Sequence, residues 1–592
     1  MARFHGMNRS RRLGAGAVFA LLLLSTSSFA GYRVRFRGVS EPELETALRR
    51  ASQTYQLRSQ TPPTEAILER RVREDLPRLR DALRAAAYYQ STIEPRIERR
   101  RDRTRVTFYI REGKPYRFEE IEVRLVEDHG PVGVDLPIAS RLKPGDRART
   151  RAILQEEQRL LRFLKSYGHP YARVARRRVL VNHETEQVSL LWELDPGRAL
   201  RFGETTFEGL DRLRLSAARQ VIPWNEGDWF DIRKIETYET AALRSGLFSS
   251  AQIAIEPTEE DRVDTRVRVS ERRPRSLRLG VRYRSDTGRG GTASWDHRNL
   301  FGGAEHFGVS VDGDKIERSA DASFRRPGVF GPTRRLLLDT RLAEETPRAY
   351  ESTYSDSTVA IEQQISRSLV ARVGAGFRYS DLIEPDRQNT YGLVYFPVQF
   401  DWNRSGDILD PSQGFRLIGR AAPFVDTLGE DIAWWMTYLE ARPYVRIWRR
   451  PDTLLAMRGV IGNIQGQSRR TIPADERFYA GGGGSVRGFD YQRAGELTED
   501  GTPLGGTSLL EGSVELRTRL TDSWGTVLFL DGGSAYERDA PQLDDQFFWG
   551  AGFGIRYHTA LGPFRADLAF PLNPRKEVDS SFEFYISFGQ AF

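Results

Sequence analysis

"WGAGFGIRY", Trp549 to Tyr557, alternates without a break. Trp549, Ala551, Phe553, Ile555 and Tyr557 fall on one parity, and Gly550, Gly552, Gly554 and Arg556 on the other. Period-2 alternation is a strand with two unlike faces. A soluble sandwich turns its apolar face inward and seldom ends strand after strand in aromatics. Apolar side chains facing out, Arg, Asp and Gly facing in, and aromatics at the strand ends are the pattern of a membrane barrel with aromatic girdles.

The same pattern spreads outward from this stretch. "LRLGVRY" sets Leu277, Leu279, Val281 and Tyr283 against Arg278, Gly280 and Arg282. "VGAGFRY" sets Val373, Ala375, Phe377 and Tyr379 against Gly374, Gly376 and Arg378, and "FRADLAF" sets Phe564, Ala566, Leu568 and Phe570 against Arg565 and Asp567. Inner-face glycines leave room for something to occupy the lumen. From residue 276 onward the chain has length for about 16 strands, at roughly 20 residues per strand and connection. The sequence ends on "FEFYISFGQAF", where Phe582, Phe584, Ile586, Phe588 and Phe592 share a parity. A spanning sheet leaves no edge in lipid, so this strand is expected to meet the first one. The seam is assigned to Leu277, Leu279 and Val281 on one side and Phe584, Ile586, Phe588, Gly589 and Phe592 on the other.

The chain begins with a basic stretch, an apolar run from Leu13 to Leu24 and the small-residue site Ser28-Phe29-Ala30. This reads as an export signal cleaved after Ala30. No later segment has the roughly 18 apolar residues of a membrane helix. The sequence has no cysteine, so an exported chain gains no disulfide, and its seven histidines form no metal-binding pair. Neither a metal nor a cofactor is expected. The net charge of +8 and runs such as "ERRRDR" (Glu98 to Arg103) belong to solvated strand faces, not to a nucleic-acid site.

Between these ends one unit recurs three times. A helix closes into a turn and an extended strand at "LRAAAYYQSTIEPRI" (Leu83 to Ile97), "LKSYGHPYARVARRRVL" (Leu164 to Leu180) and "LRSGLFSSAQIAI" (Leu243 to Ile255). Gly168 and Gly246 suit the left-handed position that ends a helix, and Ala87 stands there in the first copy. Helical periodicity precedes the turns, through Leu68, Val72, Leu76, Leu79 and Leu83 and then Ile153, Leu160, Leu164 and Tyr167. The expected order is a signal at 1–30, α+β modules at 31–114, 115–198 and 199–274, and a transmembrane barrel at 275–592 with an inward-folded loop around 465–508.

That loop contains "AGGGGSVRGFDY", Ala480 to Tyr491. A phosphate loop would need a following helix and a Gly-Lys-Ser/Thr end, and this stretch has neither. An arginine carried into a lumen needs partners, because an unpaired buried charge is costly. Glu515, Phe529 and Asp531, on the strands that follow, are the candidates for Arg487.

Val486-Arg487-Gly488-Phe489, between "RFYAGG" and "FLDGG", resembles the sixth-loop signature of the POTRA-plus-barrel assembly and secretion factors of bacterial outer membranes. "WDHRNLFGG" (Trp295 to Gly303), "DILDPSQGFRL" (Asp407 to Leu417) and the aromatic C-terminus are similar to that family as well. Gln590 and Ala591 depart from its usual apolar ending. The resemblance implies periplasmic POTRA domains, a 16-stranded outer-membrane barrel, and a weakly paired seam through which client strands enter the bilayer without ATP. It also implies outer-membrane lipid, unfolded clients and a periplasm-spanning, inner-membrane-anchored protein as partners. Three modules set the chain apart from the five-module general assembly subunit and the two-module secretion transporter. A passive channel would need a lumen free of the arginine loop. An enzyme would need a nucleophile set that the scattered histidines do not supply.

Overall fold

The computed structural model describes residues 32–588 apart from 61–63, 101–102, 127–135, 285–286, 332, 407–409, 430–431, 542–546 and 560–561. The expected signal and the seam residues Gly589 and Phe592 lie outside the described residues.

Three small three-stranded sheets come first. In the first, Tyr32–Arg37 runs parallel to Arg103–Arg111, which pairs antiparallel with Thr92–Arg100. Helix Glu65–Ala85 lays Leu68, Val72, Leu79 and Leu83 on this sheet, the face set by their 4- and 7-residue spacing. The second repeats the plan with Arg117–Leu125, Gln187–Asp195 and Arg173–Asn182. Its helix Thr150–Lys165 buries Ile153, Leu160 and Leu164. Tyr167 leaves this face: the helix stops at Lys165, and Tyr167 is exposed. The third contains Arg201–Glu208, Arg262–Glu271 and Phe248–Pro257, in that order across the sheet, with helices Leu215–Gln220 and Ile232–Arg244.

In its first two copies the recurrent turn is a joint between modules. Ala87, Gly168 and Gly246 all have positive φ, at 71°, 98° and 72°. Ala87 thus takes the same left-handed conformation as the glycines, and its methyl group is buried in the core of the second module. Its carbonyl accepts from Tyr116 N–H at 2.8 Å, and the Gly168 carbonyl accepts from Leu200 N–H at 2.8 Å. Each donor immediately precedes the first strand of the next module.

A charged cluster reinforces the first joint. Arg147 lies 4.4 Å over the Tyr88 ring, donates to the Ala86 carbonyl at 3.0 Å and is ion-paired with Glu41. Arg149 reaches the same carboxylate at 3.0 Å. Burial pushes the Glu41 carboxyl up, but the two arginines and Tyr88 outweigh it and hold it below its ordinary value. A depressed carboxylate pKa stabilises above the unfolded value and loses that contribution as pH falls through the folded one. The cluster is partly exposed, so its worth is below about 1 kcal/mol. Spin-label distances across the two modules are expected to broaden in Glu41→Gln at neutral pH. Wild type should broaden only under acid, and equal distributions at every pH would contradict the link.

Among the described residues from Arg275 to Phe588 the chain forms one antiparallel sheet of 17 strand segments, each beside its sequence neighbours. Leu369–Glu384 pairs first with Arg387–Tyr395 and then with Val398–Asn403, and Gly414–Asp426 also pairs with both. These two segments are halves of one crossing, interrupted at Phe396-Pro397, because proline lacks the ladder's N–H. Seventeen segments with two sharing a crossing make sixteen crossings. Leu277, Leu279, Val281, Phe553, Ile555 and Phe564 are exposed, whereas Arg556, Arg565 and Asp567 are buried on the opposite parity. Apolar residues therefore face outward and charged ones line the interior, as a lipid-facing barrel requires. The first strand, Arg275–Arg284, touches the last, Glu583–Phe588, but among the described residues no ladder joins them.

Candidate lumen latch

Strand Asp452–Gln465 is followed by a long excursion that rejoins the sheet at Ser508. Its backbone folds inward, burying Ala480, Val486, Phe489 and Ala494 with Val460, Leu509, Ala535 and Phe548 of the barrel. Short and absent side chains make this possible. A Cβ on Gly550 would lie 1.8 Å from the Arg487 carbonyl oxygen, and one on Gly533 would lie 2.9 Å from Val486. Gly488 has φ of 100°, a conformation that favours glycine.

Arg487 sits at the centre of this contact and is 1% exposed. Its Nε and Nη2 donate to the two Asp531 carboxylate oxygens at 2.6 and 2.9 Å. Nη1 lies 2.6 Å from Glu515 Oε1 and 3.2 Å from Asp567 Oδ2. The guanidinium carbon stands 3.5 Å from the Phe529 ring centroid, which adds cation–π attraction on the remaining face. The Arg487 backbone N–H also donates to Asp531, at 3.2 Å. Glu515, Phe529 and Asp531 thus all converge on Arg487. Val486 packs into the apolar cluster, Phe489 meets Phe548 edge-on with centroids 5.2 Å apart, and Gly488 N–H donates to the Tyr585 hydroxyl at 3.1 Å.

Three further charges complete the cluster. Arg517 pairs with Glu515 at 2.7 Å, Arg556 pairs with Asp567, and Arg565 donates to the Gly483 carbonyl at 3.1 Å. The sequence reasoning did not link Asp567 or Tyr585 to the loop. Their inward parity in "FRADLAF" and "FEFYISF" was the available signal. A second anchorage was not anticipated: Asp475 takes Arg378 at 2.7 Å, and Arg477 takes Glu384 at 2.6 Å. The loop is therefore held on two walls, with ion pairs whose partners are desolvated together.

Of the expected seam, Leu277, Leu279, Val281, Phe584 and Ile586 are exposed, and Phe588 pairs with Phe564. Leu277, Leu279, Val281, Phe584 and Ile586 contribute a lipid-facing surface and do not enter the latch.

Fold and site together define a membrane-spanning barrel with a latched internal loop, following α+β modules along the chain. Residues 299–592 match the Omp85 superfamily domain, and residues 200–272 match the POTRA family, described as a surface antigen variable number repeat. An outer membrane protein assembly factor, BamA, of Nitratidesulfovibrio vulgaris is 22% identical over 529 residues, covering 84% of this chain and 65% of its own. BamA of Neisseria meningitidis serogroup B is 23% identical over 608 residues, covering 88% and 73%. The chain thus spans about two thirds to three quarters of the length of these relatives. The crystal structure of BamA from Haemophilus ducreyi lacking POTRA domains 1–3 superposes with a TM-score of 0.65 at 18% identity, covering 80% of this chain and all of that one. At that identity the likeness is one of fold. The barrel is an Omp85-superfamily domain carried behind POTRA modules, and the protein resides in the outer membrane with those modules in the periplasm.

Proposed function

We propose that this protein is an insertase that assists the insertion and assembly of autotransporters and other β-barrel proteins. The observation that carries the reading is the occupied lumen. A loop held by Arg487 on one wall and by Asp475 and Arg477 on another blocks the interior as a client route. The route left is the wall, at the seam between the first and last strands, where the described residues form no ladder. A client strand pairing there satisfies its backbone as its apolar face reaches lipid, so insertion runs downhill without ATP and without covalent chemistry.

Within the superfamily, the three-module plan and the "SFGQAF" ending favour a TamA-like subunit of a translocation and assembly module. Its partner is then a TamB-like periplasmic protein anchored in the inner membrane, and the N-terminal module, farthest from the barrel along the chain, is its docking site. Crosslinks confined to the third module would contradict that placement.

The function is tested with residues 31–592 reconstituted in liposomes. Folding of an autotransporter client, followed by heat-modifiable gel mobility and protease protection, is expected to be accelerated over empty liposomes. Equal rates in both would overturn the reading.

A further inference from the structure

The motif "WDHRNLFGG" plays no part in the latch, and the structure places it at the periplasmic end of the first hairpin. Arg298 N–H donates to the Pro274 carbonyl at 2.8 Å, and Arg214 N–H donates to the Gly302 carbonyl at 2.8 Å. These contacts gather three chain segments around an open cleft of about 810 Å³ whose lining includes Arg212, Arg214, Arg273, Arg275, His297 and Phe301. No acid lines it.

Four guanidinium groups in one cleft would normally attract carboxylates, yet the nearby ones are engaged. Glu271 accepts the backbone N–H groups of Asp211, Arg212 and Leu213 at 3.0, 3.0 and 2.9 Å. Glu305 accepts those of Phe301 and Gly303 at 3.1 and 2.9 Å. Asp296 is taken by Arg278 at 2.6 Å and His306 at 3.1 Å. Among the described residues only Arg212 has an acid partner, the exposed Asp211 at 3.6 Å. Among the described residues, Arg214, Arg273 and Arg275 form no ion pair.

Strand parity says what the cleft faces. Arg275 shares its face with Leu277, Leu279 and Val281, which are 69%, 77% and 95% exposed. Across the ladder, His297 stands opposite Arg275 and Trp295 opposite Leu277. Phe301, 61% exposed, closes the rim. Positive charge therefore gives way to an apolar lipid-facing wall within two residues, or about 7 Å of strand. A phospholipid makes the same change from phosphate to acyl chain, and aromatic residues mark that level of a bilayer.

We propose that this cleft binds the phosphate of a membrane phospholipid in the periplasmic leaflet, with its acyl chains against Leu277, Leu279 and Phe301. Guanidinium groups hold phosphate oxygens bidentately, and an anionic headgroup is preferred because Asp211, beside Arg212, offsets only one of the four arginines. The occupied site holds a lipid beside the first strand of the seam.

The test uses the full mature chain in phosphatidylcholine vesicles doped with a photoactivatable phosphatidylglycerol. The expected result is labelling within 295–303, with apparent affinity lowered about fivefold in Arg273→Gln or Arg275→Gln and about 25-fold in the double variant. The double lysine variant, which keeps the charge but not the bidentate fork, should fall between wild type and the double glutamine variant, and heat-modifiable mobility reports that each barrel is folded. Unchanged labelling in a folded double glutamine variant would overturn the proposal. So would displacement of the label by millimolar inorganic phosphate, which would reveal a site for the free anion. Displacement by an acidic peptide would assign the cleft to a protein partner and overturn it equally.

Discussion

Arg487→Ala is expected to release the lumen loop and to abolish most client insertion. The side chain is the shared cation of Asp531, Glu515 and Asp567, none of which reaches solvent. Removing one partner of such a buried set costs about 3–5 kcal/mol, because the charges left behind remain desolvated. Arg517 and Arg556 still serve Glu515 and Asp567, so the loss falls most heavily on Asp531. Arg487→Lys keeps the charge, but one ammonium cannot span both Asp531 oxygens while meeting Glu515 and stacking on Phe529. Both variants should expose residues 466–507 to protease, alanine more than lysine. Normal client insertion with an intact loop in Arg487→Ala would rule out the latch.

Gly550→Ala is expected to open the same loop with every charge in place. The added methyl would sit 1.8 Å from the Arg487 carbonyl oxygen, so the loop backbone or the strand has to move. Overpacking of this kind costs about 1–3 kcal/mol. Gly512→Ala is the matched control, since a Cβ there meets nothing within 4 Å. Protease sensitivity should rise in Gly550→Ala and stay at the wild-type level in Gly512→Ala. Equal behaviour of the two would show that the loop does not depend on close approach to the wall.

The two variants separate charge from shape, and that division also describes what could be read from the sequence. Alternation around Trp549–Tyr557 carries the barrel, because a two-faced strand is a local property. Arg487 stood out because a charged residue among glycines needs partners, and Glu515, Phe529 and Asp531 lay on the next two strands. Asp567 and Tyr585 lie 80 and 97 residues from their contacts in the loop, and only sheet closure brings them near. Asp475 to Arg378, 97 residues apart, crosses to another wall, where register between distant strands decides the meeting. Tyr167 fitted the helical period but fell beyond the helix end, which the turn at Gly168 fixes. Pro397 split a strand without ending it, since the neighbouring ladders continue on both sides.

The left-handed turns have an evolutionary consequence. At both Ala87 and Gly168 the bond crossing to the next module joins main-chain atoms, so that bond, unlike the Glu41 and Arg147 cluster beside the first joint, places little demand on which side chains follow. A module duplicated or deleted as a unit would bring its own socket and leave a usable one behind. The length of the periplasmic arm can then change by whole modules in a single genetic event while the barrel and its latch stay as they are.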